Sequence, residues 1–493
     1  MFSSPDWQSP DAARLESALP EHAPRAAEVH AERVRRRPWR RRLLTLLGLV
    51  PVLSAIALGG LWISTIPVRR AVQAELARIA AAGEPVTVDD LERLYAADTQ
   101  EGEATDRWLA ALDRLVASGF QDDAAELARA FGHHALIPHV GVEWPHWDAA
   151  EELLDVYRPI LNEIHTAAED AGVCRYTADL TLGYFSEFPY LNRVILAARA
   201  IRMEGLVCAH RRDAVGVSRC VNTLRAIATS LEAEPKSISQ LLRLGVLTTA
   251  HQVTQYSAPH VEFSAEELAS ISAQLRTEDH IGPSHRGMLG ERVQLWTAIN
   301  DPESQGGIPI PDRLSLLWQI QRWYDRQFLL NHMRPLVDAS AEPMPAAFVT
   351  ARLAADALRE ERNGGTLSKL RNIWSLFLIE NQDWHFAARG RAEASRDATL
   401  VVLAVERYHR EHGRRPERLE ELVPAYLNEV PRDPFDGQPL RYVVREGHYT
   451  IYSVGPDGID DGGQMDAEGD SPDLVFTVHH SLPGAGIEGA DDP

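Results

Sequence analysis

Twenty-four consecutive residues carry no charge: Leu43 to Ile66 reads LLTLLGLVPVLSAIALGGLWISTI. A helix rising ~1.5 Å per residue crosses a ~30 Å hydrocarbon core in about 20 residues. Such a helix satisfies its own backbone in lipid, and Gly48, Pro51, Gly59 and Gly60 are tolerated there. Trp62 lies near one end, where an indole favours the interface. Arg33, Arg35, Arg36, Arg37, Arg40, Arg41 and Arg42 crowd the amino-terminal flank, whereas only Arg69 and Arg70 follow directly. The positive-inside rule therefore predicts one transmembrane span with a cytoplasmic amino terminus and everything beyond it on the far side. A cleaved signal peptide is the competing reading, with Ala55-Ile56-Ala57 as its small-residue site. Against it, the apolar sequence runs on past that point and is long for a signal core.

The charge is divided by this span. Residues 1–42 hold nine Arg and six acids, a net of +3, and the part beyond the span holds 41 basic and 65 acidic residues, a net of −24. So acidic a body repels nucleic acid and anionic lipid surfaces. A chain of 493 residues is too long for a single core, so several domains are expected. The three cysteines, Cys174, Cys208 and Cys220, exclude a fully paired disulfide framework. One pair, Cys208 with Cys220, suits an oxidising compartment; three buried thiols acting as small apolar groups is the plainer reading.

Residues 69–394 read as an exported all-α domain. Ala71 to Ala82 is made of strong helix formers. Thr87 with Asp90, and Ser264 with Glu267, form capping boxes. Trp108, Leu112 and Leu115 share one helical face, as do Leu154, Tyr157, Leu161 and Ile164. Residues 189–232 predict a helical hairpin broken at His210–Asp213, and further helices are predicted over 236–256, 264–277, 313–335, 345–362 and 366–385. No fixed repeat period emerges, so an irregular bundle of antiparallel pairs is expected, with a hinge at Asn300–Pro311. Linear catalytic motifs are missing: there is no G-x-S-x-G, H-E-x-x-H or phosphate-binding loop. His133, His134, His139, Glu143 and His146 cluster, but their spacing matches no standard metal pattern, and Pro138 and Pro145 break any helix that would aim them together.

After residue 395 the pattern changes. Asp397 to His412 predicts a helix ended by Gly413. Three strand-like runs follow, at 440–445, 449–454 and 473–478. Over residues 395–478 the chain resembles the periplasmic domain of the major, G-type pseudopilin of type II secretion. The likeness rests on Tyr408, Gly413, Pro416, Leu422-Val423-Pro424, the Asp433-Pro434-Phe435 turn, Leu440-Arg441-Tyr442 and Tyr452-Ser453-Val454-Gly455-Pro456-Asp457-Gly458. It implies a helix capped by a three-stranded antiparallel sheet, with a Ca²⁺ ion stapling the last loop. The Gly-Phe-Thr-x-x-Glu head of a true pseudopilin does not occur here, and Phe435 stands where that family has Trp.

The loop's chemistry agrees with a cation. Asp457, Asp460, Asp461, Asp466, Glu468, Asp470 and Asp473 lie close together in sequence, interleaved with glycines. Ca²⁺ takes six to eight oxygens from carboxylates and carbonyls on flexible loops. Asp457 and Asp473 match the family pattern best; Asp461, Asp466 and a carbonyl at Val454 complete the expected ligand set. The expected layout is thus mainly α: a mostly disordered Arg-rich tail (1–42), the span (43–66), the all-α domain (69–394), the pseudopilin-like α+β module (395–478) and a disordered end (479–493). The expected protein sits in a bacterial inner membrane with a periplasmic bulk. It has a binding or structural role toward an envelope protein partner, with a link to type II secretion or a pilus-like system. An enzyme hidden in the helical domain, around His133–His146, is the alternative.

Overall fold

The structure is a computed structural model of the chain, and it describes residues 25–99, 102–130, 144, 146–176, 180, 188–300, 315–380, 382–445, 447–464 and 471–479. It divides into two units, residues 1–64 and 65–493. Helix α1 (Arg25–Ala81) starts in the first and ends in the second; it begins before the uncharged stretch and continues beyond it, so the helix is longer than the apolar run in both directions. Leu49, Val50, Val52, Leu53, Ile56, Leu61 and Ile63 are exposed on it. The segment is long and apolar enough to cross a membrane.

The second unit is helical with a small sheet. Its helices are α2 (Val88–Asp98), α3 (Glu103–Ala117), α4 (Phe120–Ala130), α5 (Trp147–Ala171), α6 (Pro189–His210), α7 (Ala214–Ser230), α8 (Ser237–Ser257), α9 (Ala265–Arg276), α10 (Ile281–Asn300), α11 (Ser315–Ser340), α12 (Ala346–Asn363), α13 (Thr366–Arg371), α14 (Ile373–Leu378) and α15 (Asp383–His412). Both expected capping boxes form: Thr87 Oγ1 accepts the Asp90 N–H at 3.2 Å while the Asp90 carboxylate accepts the Thr87 N–H at 3.0 Å, and Ser264 and Glu267 do the same. Each satisfies two backbone donors that an open helix end would leave orphaned. The hairpin break also falls where the sequence puts it. Arg212 turns the chain with φ +59°, and the Asp213 carboxylate caps α7 by accepting the Gly216 N–H at 3.0 Å.

Two predicted elements differ. The helix expected over 366–385 is broken into α13 and α14, with Asn372 leaving helical geometry between them (φ −118°). The residues from Asp383 belong instead to α15, which starts well before Asp397. Helix α10 was not predicted, because Pro283, Gly287 and Gly290 interrupt its apolar pattern. Tertiary packing explains the last of these: a Cβ on Gly290 would lie 1.7 Å from the Pro235 carbonyl oxygen, so the backbones can approach only without one. Residues 301–314, most of the expected hinge, lie outside the described residues.

Strands β1 (Arg441–Arg445), β2 (His448–Ser453) and β3 (Leu474–His479) form an antiparallel meander in the order β1-β2-β3. Tyr442 pairs with Ile451, and Ile451 with Phe476. Gly413 ends α15 in the left-handed conformation, as expected of a C′ glycine. The sheet shares its core with the helical body. Tyr449, Ile451 and Val478 belong to one continuous cluster with Val401, Val405, Val253 and Leu206. Phe435 and Val454 belong to a second cluster, with Phe348 of α12 and Phe386 of α15. The α15 helix lies against α8, α9 and α12, so one helix serves as the sheet's backing and as a central strut of the body.

Candidate functional site

The expected cation loop is built where the ends of β2 and β3 meet. Asp433, buried between Asp-Pro-Phe turn and sheet, organises it. Its Oδ1 accepts the Phe435 N–H and the Ser453 hydroxyl, each at 2.9 Å. Its Oδ2 accepts the Val454 N–H at 2.9 Å and the Arg441 guanidinium at 2.7 Å. The loop rests on α12, where Arg352 donates to the Pro456 carbonyl at 3.0 Å and Phe348 meets Phe435 edge-on at 5.2 Å.

Of the expected ligands, Asp473 is the most enclosed, at 2% exposure. Its Oδ2 accepts the Gly463 N–H at 2.7 Å, while its buried Oδ1 meets no donor among the described residues. Val454 and Gly455 lie beside it, since a Cβ on Gly455 would be 3.0 Å from the Pro472 carbonyl. Asp473, the Val454–Gly455 corner and Gly463 are therefore brought together. Asp457 is exposed and its Oδ1 accepts the Ile459 N–H at 3.1 Å. Asp461 is exposed nearby. Asp466 lies outside the described residues, as do His133, His134, His139 and Glu143. His146 precedes α5 and its ring meets Trp144 edge-on at 5.5 Å.

Among the described residues, the helical body holds three polar hubs that the sequence pattern does not single out. At the first, Glu234 is 1% exposed. The Tyr95 and Tyr190 hydroxyls donate to its carboxylate in close contacts, and Ser239 donates at 3.3 Å. Burial pushes this carboxyl up to about 7, with the phenol hydrogen bonds opposing the rise. Lys236 stands 4.8 Å above the Phe188 ring; burial brings its ammonium down to about 8, with Glu291 and Glu234 opposing. At the second hub, His251 Nε2 lies 3.1 Å and His280 Nε2 3.3 Å from Glu278 Oε2, and Arg225 contacts the same carboxylate. Burial alone would raise Glu278, but the two histidines and Arg225 hold it well below the usual carboxylate range.

The third hub is formed by α5, α6 and α7. His165 Nδ1 lies 2.6 Å from Thr223 Oγ1, and its Nε2 lies 2.9 Å from Glu204 Oε2. Glu204 Oε1 accepts from Arg219 at 2.9 Å. Cys220 sits beside them, and the nitrogen, oxygen and sulfur atoms of His165, Glu204 and Cys220 all lie within 4.8 Å of one another. All three cysteines are free thiols, and Cys208 of α6 is hydrogen-bonded to Cys220. A groove of about 550 Å³ opens next to this hub, lined by Glu169, Ser218, Arg219, Thr223, Arg225 and Gln274. A second, of about 530 Å³, lies between α9 and α15, with Phe263, Leu268, Leu400, Tyr426, Arg407 and Arg410 in its walls.

The hubs escape sequence pattern because their members are distant in the chain. The one local signal is a lone acid in a largely apolar stretch, as Glu204 is within ILAARAIRMEGLVCA, where the other charges are Arg199 and Arg202; a buried carboxylate needs partners, and only the fold supplies them. No family model, curated protein or solved structure matches this chain.

Proposed function

We propose that the chain is a single-pass inner-membrane protein. Its acidic body lies outside the cytoplasm and acts by binding an envelope partner, and its carboxy-terminal sheet is stapled by Ca²⁺. The observation that carries this reading is the exposed apolar face of α1 from Leu49 to Ile63 behind an Arg-rich flank. So much uncovered hydrocarbon surface in one band is costly in water and favourable in lipid. A binding role is supported by the open surfaces, which are grooves that mix apolar side chains with arginines. The partner is taken to be a protein of the secretion or pilus-like class, on the strength of the pseudopilin resemblance of residues 395–478.

Calcium is supported by the buried Oδ1 of Asp473, which a cation would satisfy, and by the pseudopilin resemblance of the loop. Asp473, Asp457, Asp461, Asp466 and the Val454 carbonyl would hold the ion. Its role is to neutralise the loop and tie the β2 end to the β3 start.

The experiment is topology mapping on the full-length chain in cells, with an epitope tag at each end. An uncleaved anchor keeps both tags on one band that resists alkaline extraction of membranes. Protease added to spheroplasts should then remove the carboxy-terminal tag and spare the amino-terminal one. Loss of the amino-terminal tag from the mature band, or protection of the carboxy-terminal tag, would overturn the reading.

A further inference from the structure

The hub at α5, α6 and α7 gathers three kinds of metal-ligating side chain at one buried point. His165 is 3% exposed, Glu204 6% and Cys220 0%. Burying an imidazole, a carboxylate and a thiol at one point sets three ligand types of different softness against each other. Their donor atoms lie within 4.8 Å of one another. In a tetrahedral zinc site, with metal–ligand bonds of ~2.0–2.3 Å, ligand atoms stand about 3.4 Å apart. The trio is therefore within a small contraction of that geometry. Cys208 follows Glu204 by one helical turn on α6 and is hydrogen-bonded to Cys220, so a second sulfur borders the same space. Gly216 opposite is held small: a Cβ there would come 2.7 Å from the Cys208 sulfur.

We propose that His165, Glu204 and Cys220 bind one divalent cation of the zinc class, and that Cys208, which neighbours Cys220 but lies outside that 4.8 Å group, turns in as the fourth ligand. Charge supports the full set. Two thiolates and a carboxylate exceed a divalent ion by one negative charge, and Arg219, already bonded to Glu204 Oε1, cancels it. Thr223 plays the supporting part usual in such sites. By engaging His165 Nδ1 at 2.6 Å it orients the ring so that Nε2 faces the other donors. Arg219 and Thr223 also line the groove of about 550 Å³, which gives an ion a route in. Loading exchanges the metal for the two thiol protons, with His165 neutral and no change of oxidation state. The site ties three helices together, and it stands independently of the calcium loop, which contains no cysteine.

The test uses the full-length chain, purified in detergent with reductant, stripped with a chelator and titrated with Co²⁺ and then Zn²⁺. One equivalent of Co²⁺ should bind and give a thiolate-to-metal charge-transfer band, about two protons should be released, and Zn²⁺ should displace the cobalt. Cys220→Ser should abolish the band and Cys208→Ser should halve it. Cys174→Ser should leave it unchanged, because that thiol lies elsewhere, against the Ala171 carbonyl. If Cys220→Ser fails to fold, half-intensity in Cys208→Ser, at the half-buried position, still decides. No charge-transfer band at stoichiometric cobalt overturns the proposal. So does an equal loss in Cys174→Ser, or a Cys208–Cys220 disulfide in the protein as isolated from membranes.

Discussion

Glu234 offers a clean perturbation, because its protonation is set by the fold. Its carboxyl is buried under Tyr95, Tyr190 and Ser239 and is raised from about 4.5 to about 7. The sign follows from proton counting. Between pH 4.5 and 7 the folded chain holds a proton on Glu234 that the unfolded chain has released, so rising pH favours unfolding. The contribution is fully present below the unfolded pKa and is gone above the folded one. A difference of about 2.5 units at 1.36 kcal/mol each makes this roughly 3 kcal/mol. Glu234→Gln removes the titration while keeping the shape and one acceptor oxygen for the phenols. Guanidinium unfolding of both proteins in the same detergent, followed by tryptophan fluorescence from pH 4.5 to 8, gives two stability curves. Subtracting the variant's curve cancels every other titrating group. The difference should fall by roughly 3 kcal/mol as pH rises across the window. A difference that stays flat within about 0.5 kcal/mol, the usual error of additivity, or that climbs with pH, would refute the assignment of a neutral buried acid.

Other groups act in the opposite direction. His280, His332 and His385 are each brought from 6.5 to about 4 by burial. Their stabilisation is complete above pH 6.5 and is lost as pH falls through 4, so moving from pH 7 to 5 should cost about 2 kcal/mol for each. His385→Gln, at a site with no exposure, should shrink that acid loss by one such share; an unchanged pH profile would refute it. For the calcium loop, EGTA should lower the melting temperature of the full-length chain and added Ca²⁺ should restore it. Asp473→Asn should melt at the EGTA value and ignore calcium, and identical melting of the native chain in EGTA and in calcium would remove the ion from the account.

Much of the chain's local structure was legible in advance because local chemistry settles it. A capping box needs only residues three apart, so Thr87–Asp90 and Ser264–Glu267 could be read directly. The hairpin break at His210–Asp213, the C′ role of Gly413 and the three strands of the meander have the same character. The uncharged stretch likewise marks a helix able to cross a membrane, because length and the lack of charge are properties of the sequence alone. What the sequence could not yield depends on distance through space. Gly290 looks like a helix breaker until Pro235 is found against it. Glu234, Glu278 and Glu204 look like ordinary acids until tyrosines, histidines and arginines from other helices close around them. The boundary after residue 394 looks like a change of domain, yet α15 runs across it and the sheet packs into the same core as α6 and α8. Hydrogen-bond satisfaction and close packing are settled between segments far apart in the chain, so only the assembled tertiary structure decides them.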